Sequence, residues 1–267
     1  MLKNTSRDIT NIIVTGKSGA GKQPRIDVLK EEFNLEQLST GDIFRKYLGT
    51  FNNFSYKKPL NEFWDKEKNT FINDDAIESK LSTKDKDVIL GLKAKYFVDQ
   101  GLFVPDSITN ALFEASFTNK KYQKQILDGY PRTLNQAVFL LELIEKRKTK
   151  INFIVLVDNT DERIISRTIQ RRICPTCGKV YHLTFKPPKD GQCEVCNVAV
   201  IQRSDDTTEK IKSRLKEFQE KALPAITYLK DHGIPIITVP GHLETFTQEN
   251  VRKSVMVEIE KLYSKSY

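Results

Sequence analysis

The sequence predicts an α/β fold in which helices cover both faces of a doubly wound parallel sheet. Short apolar runs alternate along the chain with amphipathic segments of helical periodicity, the pattern of strands joined by helical crossovers. A glycine-rich loop follows the first apolar run, and such a loop between a strand and a helix is typical of phosphate-binding folds. The 267 residues allow one large domain, or a core with inserted lobes.

The strands are predicted at short apolar runs, and the helices at segments whose apolar residues recur every three to four positions. The predicted strands are 11–14, 125–127, 151–157 and 234–239, with a weaker one around Leu38. The predicted helices are 26–33, 107–117, 134–147, 162–168, 208–229 and 247–263. Two stretches interrupt this alternation and are predicted to be insertions. They are 46–88, rich in Lys, Asn, Asp and Phe, and 170–206, which contains all four cysteines.

Residues 16–22, GKSGAGK, have the spacing of a phosphate loop. In such a loop, backbone N–H groups point at an anion at the start of a helix, and a lysine, here Lys22, adds a mobile positive charge. The alternative, a glycine-rich turn without a ligand, does not account for the lysine at the required position. Gln23 and Pro24 follow where a small hydroxyl residue is expected. Pro24 is compatible with the first turn of a helix, but it removes one N–H from the loop.

Charge and hydropathy limit the classes of partner. The formal net charge of +8 suits an anionic partner, and nucleotides satisfy it as well as nucleic acid does. No run of 18 apolar residues occurs, so we expect no membrane span. The first ten residues, MLKNTSRDIT, lack the apolar core of a signal peptide, and we therefore expect a cytoplasmic protein.

The four cysteines form two Cys-x2-Cys pairs separated by fifteen residues. This spacing falls within the pattern of four-thiolate zinc sites, and four thiolates complete a tetrahedral shell, so we expect a structural zinc. Two disulfides or a redox pair are the alternatives, and the absence of a secretory signal disfavours disulfides. Because arginines flank the segment, it is either a nucleic-acid-binding knuckle or a lobe that brings positive charge to a polyphosphate. The predicted ligands are Cys174, Cys177, Cys193 and Cys196.

Six segments, in order, resemble motifs of the adenylate kinase family in its long form with a zinc-bearing lid. They are GKSGAGK (16–22), LSTGDIFR (38–45), VDQGLFVPD (98–106), DGYPRTLNQA (128–137), RTIQRRICPTCGKVYH (167–182) and QRSDD (202–206), with Arg214 following. The resemblance implies a core of 1–38, 105–169 and 207–267, a nucleotide-monophosphate lobe at 39–104 and a zinc lid at 170–206.

The resemblance also implies reversible transfer of the γ-phosphoryl group from ATP to AMP, giving ADP, in a monomer that uses Mg²⁺ and binds neither nucleic acid nor membrane. Such transfer depends on alignment and charge neutralisation, and the guanidinium fork of arginine matches phosphate oxygens. By matching position, the catalytic residues would be Lys22, Asp128, Arg132, Arg167, Arg171, Arg203 and Arg214. The donor site would comprise Gly19, Ala20, Gly21, Lys22, Gln23, Pro24, Arg171, Val180, Tyr181 and Leu243. The acceptor site would comprise Thr40, Arg45, Leu102, Phe103, Val104, Gly129, Tyr130, Pro131, Arg132, Gln136, Arg203 and Arg214. Asp205 and Asp206 would anchor the closed lid.

The chain departs from this family pattern at two places. Gln23-Pro24-Arg25 stands where the family has Gly-Thr-Gln, and the loss of one or two hydrogen bonds to phosphate would lower affinity or rate roughly ten- to a thousandfold. The alternative function is therefore a catalytically weak relative that binds nucleotide for sensing. Segment 46–88 is also longer than the family needs, and its aromatic residues argue against disorder. It is interpreted either as a surface elaboration packed on its own lobe or as a cap or docking surface.

Overall fold

The computed structural model describes residues 8–118, 121–203 and 206–264. Its strands, in chain order, are β1 (Asn11–Thr15), β2 (Glu36–Ser39), β3 (Trp64–Asp65), β4 (Thr70–Phe71), β5 (Gln125–Asp128), β6 (Ile154–Asp158), β7 (Arg171–Ile173), β8 (Val180–His182) and β9 (Ile236–Pro240). Its α-helices are α1 (Lys22–Phe33), α2 (Thr40–Asn53), α3 (Asp74–Leu81), α4 (Lys86–Asp99), α5 (Asp106–Thr118), α6 (Leu134–Lys146), α7 (Asp161–Ile169), α8 (Thr208–Glu217), α9 (Leu223–Asp231) and α10 (Gln248–Ser264).

Five parallel strands form the central sheet in the order β2-β5-β1-β6-β9. All five residues of β1 are buried, because this strand has neighbours on both sides and helices above and below. One face of the sheet packs with residues of α1 and α10, including Ile26 and Val255. The other packs with residues of α5, α6 and α9, including Leu112 and Leu140. The predicted doubly wound α/β fold is confirmed.

The prediction of a single helix at 208–229 is wrong in one respect. The chain forms α8, then a π-helical turn over Phe218–Ala222, then α9. Pro224 lies in the first turn of α9, and it has no N–H for the carbonyl four residues earlier. The wider turn accommodates that missing hydrogen bond without ending the helical path.

Segment 46–88 folds around its own apolar cluster. Phe51 and Phe63, both almost fully buried, pack with side chains of α3 and α4. The two-residue strands β3 and β4 pair as an antiparallel hairpin. Trp64 of this hairpin stacks on Tyr96 of α4 with ring centroids 4.9 Å apart. The segment is ordered, as its aromatic content predicts, and it packs against the helix that leads toward residues 102–104.

No helix in the three described ranges combines the length and apolar character needed to cross a bilayer.

Candidate active site and metal centre

The candidate active site lies at the carboxyl edge of the parallel sheet. There β1 runs into the phosphate loop, β5 ends at Asp128, and β2 is followed by Thr40. The strand register places Asp128 opposite Val14 on one side and Ser39 on the other. Residues that are far apart in the sequence therefore surround the start of α1, as ligand sites of parallel α/β sheets do.

Lys22 is the first residue of α1, and its ammonium lies back across the loop. It donates to the carbonyl oxygens of Gly16 at 3.0 Å and Lys17 at 3.2 Å. Burial lowers the pKa of Lys22 from 10.5 to about 8, and Asp128 partly opposes this shift. The positive charges of Arg132, Arg214 and Arg171 lower the pKa further. Asp128, Arg132, Arg171 and Arg214, four of the charged groups that the sequence assigns to the site, thus lie within electrostatic reach of one ammonium group.

Arg132 is held at the mouth of the loop by uncharged partners. Its Nε donates to the Gly129 carbonyl at 2.7 Å, and its Nη2 donates to the Thr40 hydroxyl at 3.1 Å. Gly129 has φ of +74°, and a Cβ at that position would lie 2.8 Å from Nη2 of Arg132. A larger residue would displace the guanidinium, so glycine here keeps Arg132 positioned toward the cleft.

The side chains of Gln136 and Tyr130, two residues that the sequence assigns to the acceptor site, are turned into the protein. Gln136 accepts from the Arg132 N–H at 2.8 Å and donates to Asp106 at 2.7 Å, so both ends of its amide are occupied. Tyr130 is buried, and its hydroxyl donates to Asn110 at 2.7 Å. The Tyr130–Pro131 peptide bond is cis, and Pro131 is buried as well. In this conformation these side chains organise the site and do not face a base.

Gln23 points sideways from the phosphate loop toward β2. Its Nε2 donates to Asp27 at 2.8 Å and to Gln37 at 3.1 Å. Gln37 in turn donates to the Asp128 carboxylate at 2.9 Å. The bulk of Gln23 is therefore outside the loop, and Gln37, which the sequence analysis missed, is the partner of Asp128. Pro24 is the third residue of α1, where its missing N–H has no intrahelical acceptor.

The arginines in and beside residues 170–206 occupy different environments. Arg171 forms two hydrogen bonds, at 2.9 and 2.5 Å, with Asp206, which is fully buried. Arg203 is exposed, and Arg214 is half-buried on α8. Asp205 lies outside the described residues.

Several residues expected in the acceptor site lie at the surface. Leu102 and Phe103 are exposed, and the Lys221 ammonium lies 5.1 Å from the ring centroid of Phe103. Arg45 is exposed and forms an ion pair with Asp42 one turn earlier on α2. Val104 is half-buried against the apolar cluster on the α5–α6 side of the sheet.

The side chains of three residues expected in the donor site lie in different environments. The Tyr181 side chain is buried among the cysteines, so only its backbone is left to contribute to a nucleotide site. Leu243 packs against the core next to α10, and Val180 is exposed.

The four cysteines converge on one point. Their sulfur atoms all lie within 4.8 Å of one another, and those of Cys177 and Cys193 are 3.7 Å apart. All four are free thiols, which excludes the disulfide interpretation for this structure. The Tyr181 hydroxyl donates to Cys193 at 3.3 Å and, more than any other contact, lowers the pKa of that thiol to about 6. A preformed cluster of this size is suited to one metal ion.

Comparison with known proteins agrees with this geometry. The family model described as adenylate kinase matches residues 77–234. The adenylate kinase of Clostridium kluyveri is 34% identical over 232 residues, which cover 86% of this chain and 90% of the relative. The adenylate kinase of Clostridium botulinum strain Hall is 33% identical over 225 residues, with coverage of 84% and 88%. The adenylate kinase of Clostridium novyi is 33% identical over 219 residues, with coverage of 81% and 85%. These matches, together with the phosphate loop and the arginines around it, show that the chain belongs to the adenylate kinase family of nucleoside monophosphate kinases.

Proposed function

We propose that this protein transfers the γ-phosphoryl group of ATP reversibly to AMP, giving ADP. The observation that carries the proposal is the convergence of Arg132, Arg171 and Arg214 on Lys22 and Asp128 at the start of α1. Two nucleotides bring several negative charges to one cleft, and phosphoryl transfer requires those charges to be neutralised and the reacting oxygens to be aligned.

The donor triphosphate would bind on the N–H groups of Gly19 to Gln23, with Lys22 at its β- and γ-phosphates. Lys22 already reaches across the loop, so little rearrangement is needed. Arg167, Arg171 and Arg203 would approach the donor from the insertion side, where the Arg171–Asp206 pair fixes one guanidinium. Gly241–Leu243 and the backbone at Val180 and Tyr181 would lie near the donor base.

The acceptor phosphate would be bound by Arg45, Arg132 and Arg214. An oxygen of that phosphate attacks the γ-phosphorus of the donor, and the bond from that phosphorus to the β–γ bridging oxygen breaks. One ADP is then left in the donor site and another in the acceptor site. Arg132 is positioned for this by Thr40 and Gly129. Gln136 would read the acceptor base only after leaving Asp106, and Leu102, Phe103 and Val104 would cover the base as the lobe closes.

Mg²⁺ would accompany the nucleotide, and the residues present suit it. The Asp128 carboxylate and the amide of Gln37 beside it are oxygen-bearing groups of the kind that hold Mg²⁺ and its waters. When bound, the ion neutralises charge on the transferring phosphate. Asp128 would orient the metal-bound waters, and Gln37 would keep the carboxylate in one rotamer.

We infer that the four cysteines hold zinc in a structural site. Zinc–sulfur bonds of about 2.3 Å in a tetrahedron place sulfurs roughly 3.8 Å apart, close to the 3.7 Å between Cys177 and Cys193. Four thiolates leave no open coordination position for chemistry. The ion would stiffen the β7–β8 hairpin that carries Arg171. Because the residues proposed for both nucleotides come from one chain, we also infer that the enzyme works as a monomer.

A phosphotransfer assay over a panel of nucleoside mono- and triphosphates tests the proposal directly. We expect ATP with AMP to give the highest kcat/KM, and Arg132→Ala to abolish transfer while the melting temperature stays unchanged. Arg163→Ala, which removes an exposed charge from α7, is the matched control and should retain full activity. Nucleotide binding without transfer above background in the parent protein would instead support the weak, sensing relative.

A dinucleotide that links both substrates through a polyphosphate provides a second test. It should bind far more tightly than ATP or AMP alone, because one closed state holds both halves and the second half binds intramolecularly. Equal affinities for the dinucleotide and ATP would contradict a shared cleft.

A further inference from the structure

Arg25, the fourth residue of α1, is a fully buried arginine with an incomplete set of partners. It is 0% exposed. Its Nη1 donates to the Gly21 carbonyl at 3.3 Å, and its Nη2 donates to the Pro240 carbonyl at 2.6 Å. Its Nε is buried without a hydrogen-bond partner. Within the described ranges, no carboxylate pairs with this guanidinium. A buried charge held only by neutral carbonyls is costly, and an anionic ligand beside it would offset that cost.

Arg25 also shares its surroundings with a second guanidinium. A Cβ placed on Gly21, the last glycine of the phosphate loop, would lie 3.3 Å from Nη1 of Arg167 and 3.5 Å from Nη1 of Arg25. The two positive groups therefore converge on one side of the loop. Burial, and secondarily Arg167, lowers the pKa of Arg25 to about 10, so it stays charged at neutral pH. The Phe246 ring, 5.7 Å away, partly covers it from solvent.

The two carbonyls that Arg25 binds indicate which part of a nucleotide lies near it. Gly21 belongs to the phosphate loop, and Pro240 ends β9 immediately before Gly241. A donor nucleotide that places its β- and γ-phosphates on the loop and its base beside 241–243 passes its α-phosphate close to both points. The N–H that Pro24 lacks belongs to the same turn of α1, whose free N–H groups would face the α- and β-phosphates.

We propose that Arg25 is a donor-binding residue of this chain and that, together with Arg167, it contacts the α-phosphate of ATP in place of the hydrogen bond lost at Pro24. This proposal rests on the proposed function for the position of the donor. Arg25 enters the site by a small rotation of its side chain, with Nε or Nη1 turning to a phosphate oxygen while Nη2 remains on Pro240. The competing explanation is a brace that only joins α1 to β9.

The experiment measures the Kd of ATP and of AMP by calorimetry in Arg25→Gln, Arg25→Lys and the parent chain, with each nucleotide added alone. Loss of a charged hydrogen bond to phosphate should raise the Kd of ATP roughly ten- to hundredfold in Arg25→Gln. The Kd of ATP should rise less in Arg25→Lys, and the Kd of AMP should change less than about twofold in either variant. Arg163→Gln, an exposed charge on α7, is the matched control and should leave both affinities unchanged. The Arg25→Gln effect should shrink at high salt, because the interaction is between charges.

Several results would overturn the proposal. Parent-like ATP affinity in a folded Arg25→Gln variant, or an equal loss of affinity for ATP and AMP, would mean that Arg25 only joins α1 to β9. If Arg25→Gln does not fold, the folded Arg25→Lys variant decides, and ATP affinity unchanged in it at both high and low salt would count against a phosphate contact. Because no transfer is measured, ATP binding that depends on Arg25 would stand even if the parent proves inactive as a kinase.

Discussion

Replacing Gln23-Pro24 by Gly-Thr should raise the rate at which this protein transfers a phosphoryl group. The new threonine would supply a backbone N–H and a hydroxyl where Pro24 supplies neither. The structure offers room for the change, because Gln23 is exposed at the edge of the loop, turned toward Gln37, and Pro24 is not part of the buried core. The start of α1 is already formed around the loop, so the new donors would be oriented before the nucleotide arrives.

The expected rise in kcat is large, and the expected fall in the free energy of unfolding is small. A hydrogen bond to a charged group contributes about 1.5–3 kcal/mol, so one new bond made in the transition state should raise kcat about 10- to 100-fold. On the other side, glycine in the first turn and the loss of proline lower the free energy of unfolding by about 1–2 kcal/mol together. Loss of the exposed Gln23–Gln37 contact adds at most about 0.5–1 kcal/mol. A slightly less stable and much faster enzyme is therefore expected.

The assay is steady-state transfer from ATP to AMP, run beside thermal unfolding and calorimetric ATP binding. Pro24→Ala restores the N–H alone, and Pro24→Thr restores the N–H and the hydroxyl, so the two variants separate these contributions. Gln23→Gly alone should change kcat little. A folded Gly-Thr variant that binds ATP but is no faster than the parent would refute the reasoning, since the missing donors would then not limit the reaction.

Three further predictions concern Lys22, the metal and the insertion. Because the pKa of Lys22 is lowered to about 8 and bound phosphate favours the ammonium form, ATP binding should take up a proton near pH 8–9 and weaken as pH rises through 8. Calorimetry in buffers of different ionisation enthalpy measures this uptake. Metal analysis should find one zinc per chain, and a strong chelator should lower the melting temperature. Phe63→Ala, at a fully buried position, should reduce the free energy of unfolding by about 3–5 kcal/mol, measured by urea titration.

Each of these has a direct control. Lys22→Arg should abolish the proton uptake, because arginine stays charged throughout this pH range; unchanged uptake would assign it to another group. Purification without chelators that yields no metal, with residues 170–206 still folded, would disprove the structural zinc. Phe103→Ala, at a position 82% exposed, should leave stability nearly unchanged, and an equal effect at both positions would contradict the packing described for Phe63.

The sheet and the phosphate loop were predictable because their signals are local. Apolar runs bounded by polar residues mark β1, β5, β6 and β9, and the glycine spacing of the loop fixes the start of α1 to within a turn. Two-residue strands such as β3 and β4 have no periodicity to detect. The π-helical turn before Pro224 depends on how the chain accommodates a missing hydrogen bond, which a periodic pattern does not reveal.

The sequence motifs assign residues to the site, but they do not give the orientation of the side chains. Position within a motif assigned Tyr130 and Tyr181 to nucleotide sites, but their partners, Asn110 and Cys193, turn both side chains inward. Gln37 could not be predicted, because nothing in the sequence of a four-residue strand distinguishes a residue that contacts Asp128. Arg25 lies next to the loop in sequence, but its partner at Pro240 is 215 positions away, and only the fold brings the two together.

The aromatic hairpin of the insertion also gives the protein a built-in optical reporter. The chain has one tryptophan, Trp64. Its ring stacks on Tyr96 and lies edge-to-face with Phe71, with the centroids of the Trp64 and Phe71 rings 5.0 Å apart. Indole emission therefore originates in this lobe alone and depends on its packing. Comparing emission with far-ultraviolet circular dichroism would follow the lobe and the sheet separately during unfolding. The same emission would register nucleotide-driven movement without any attached dye.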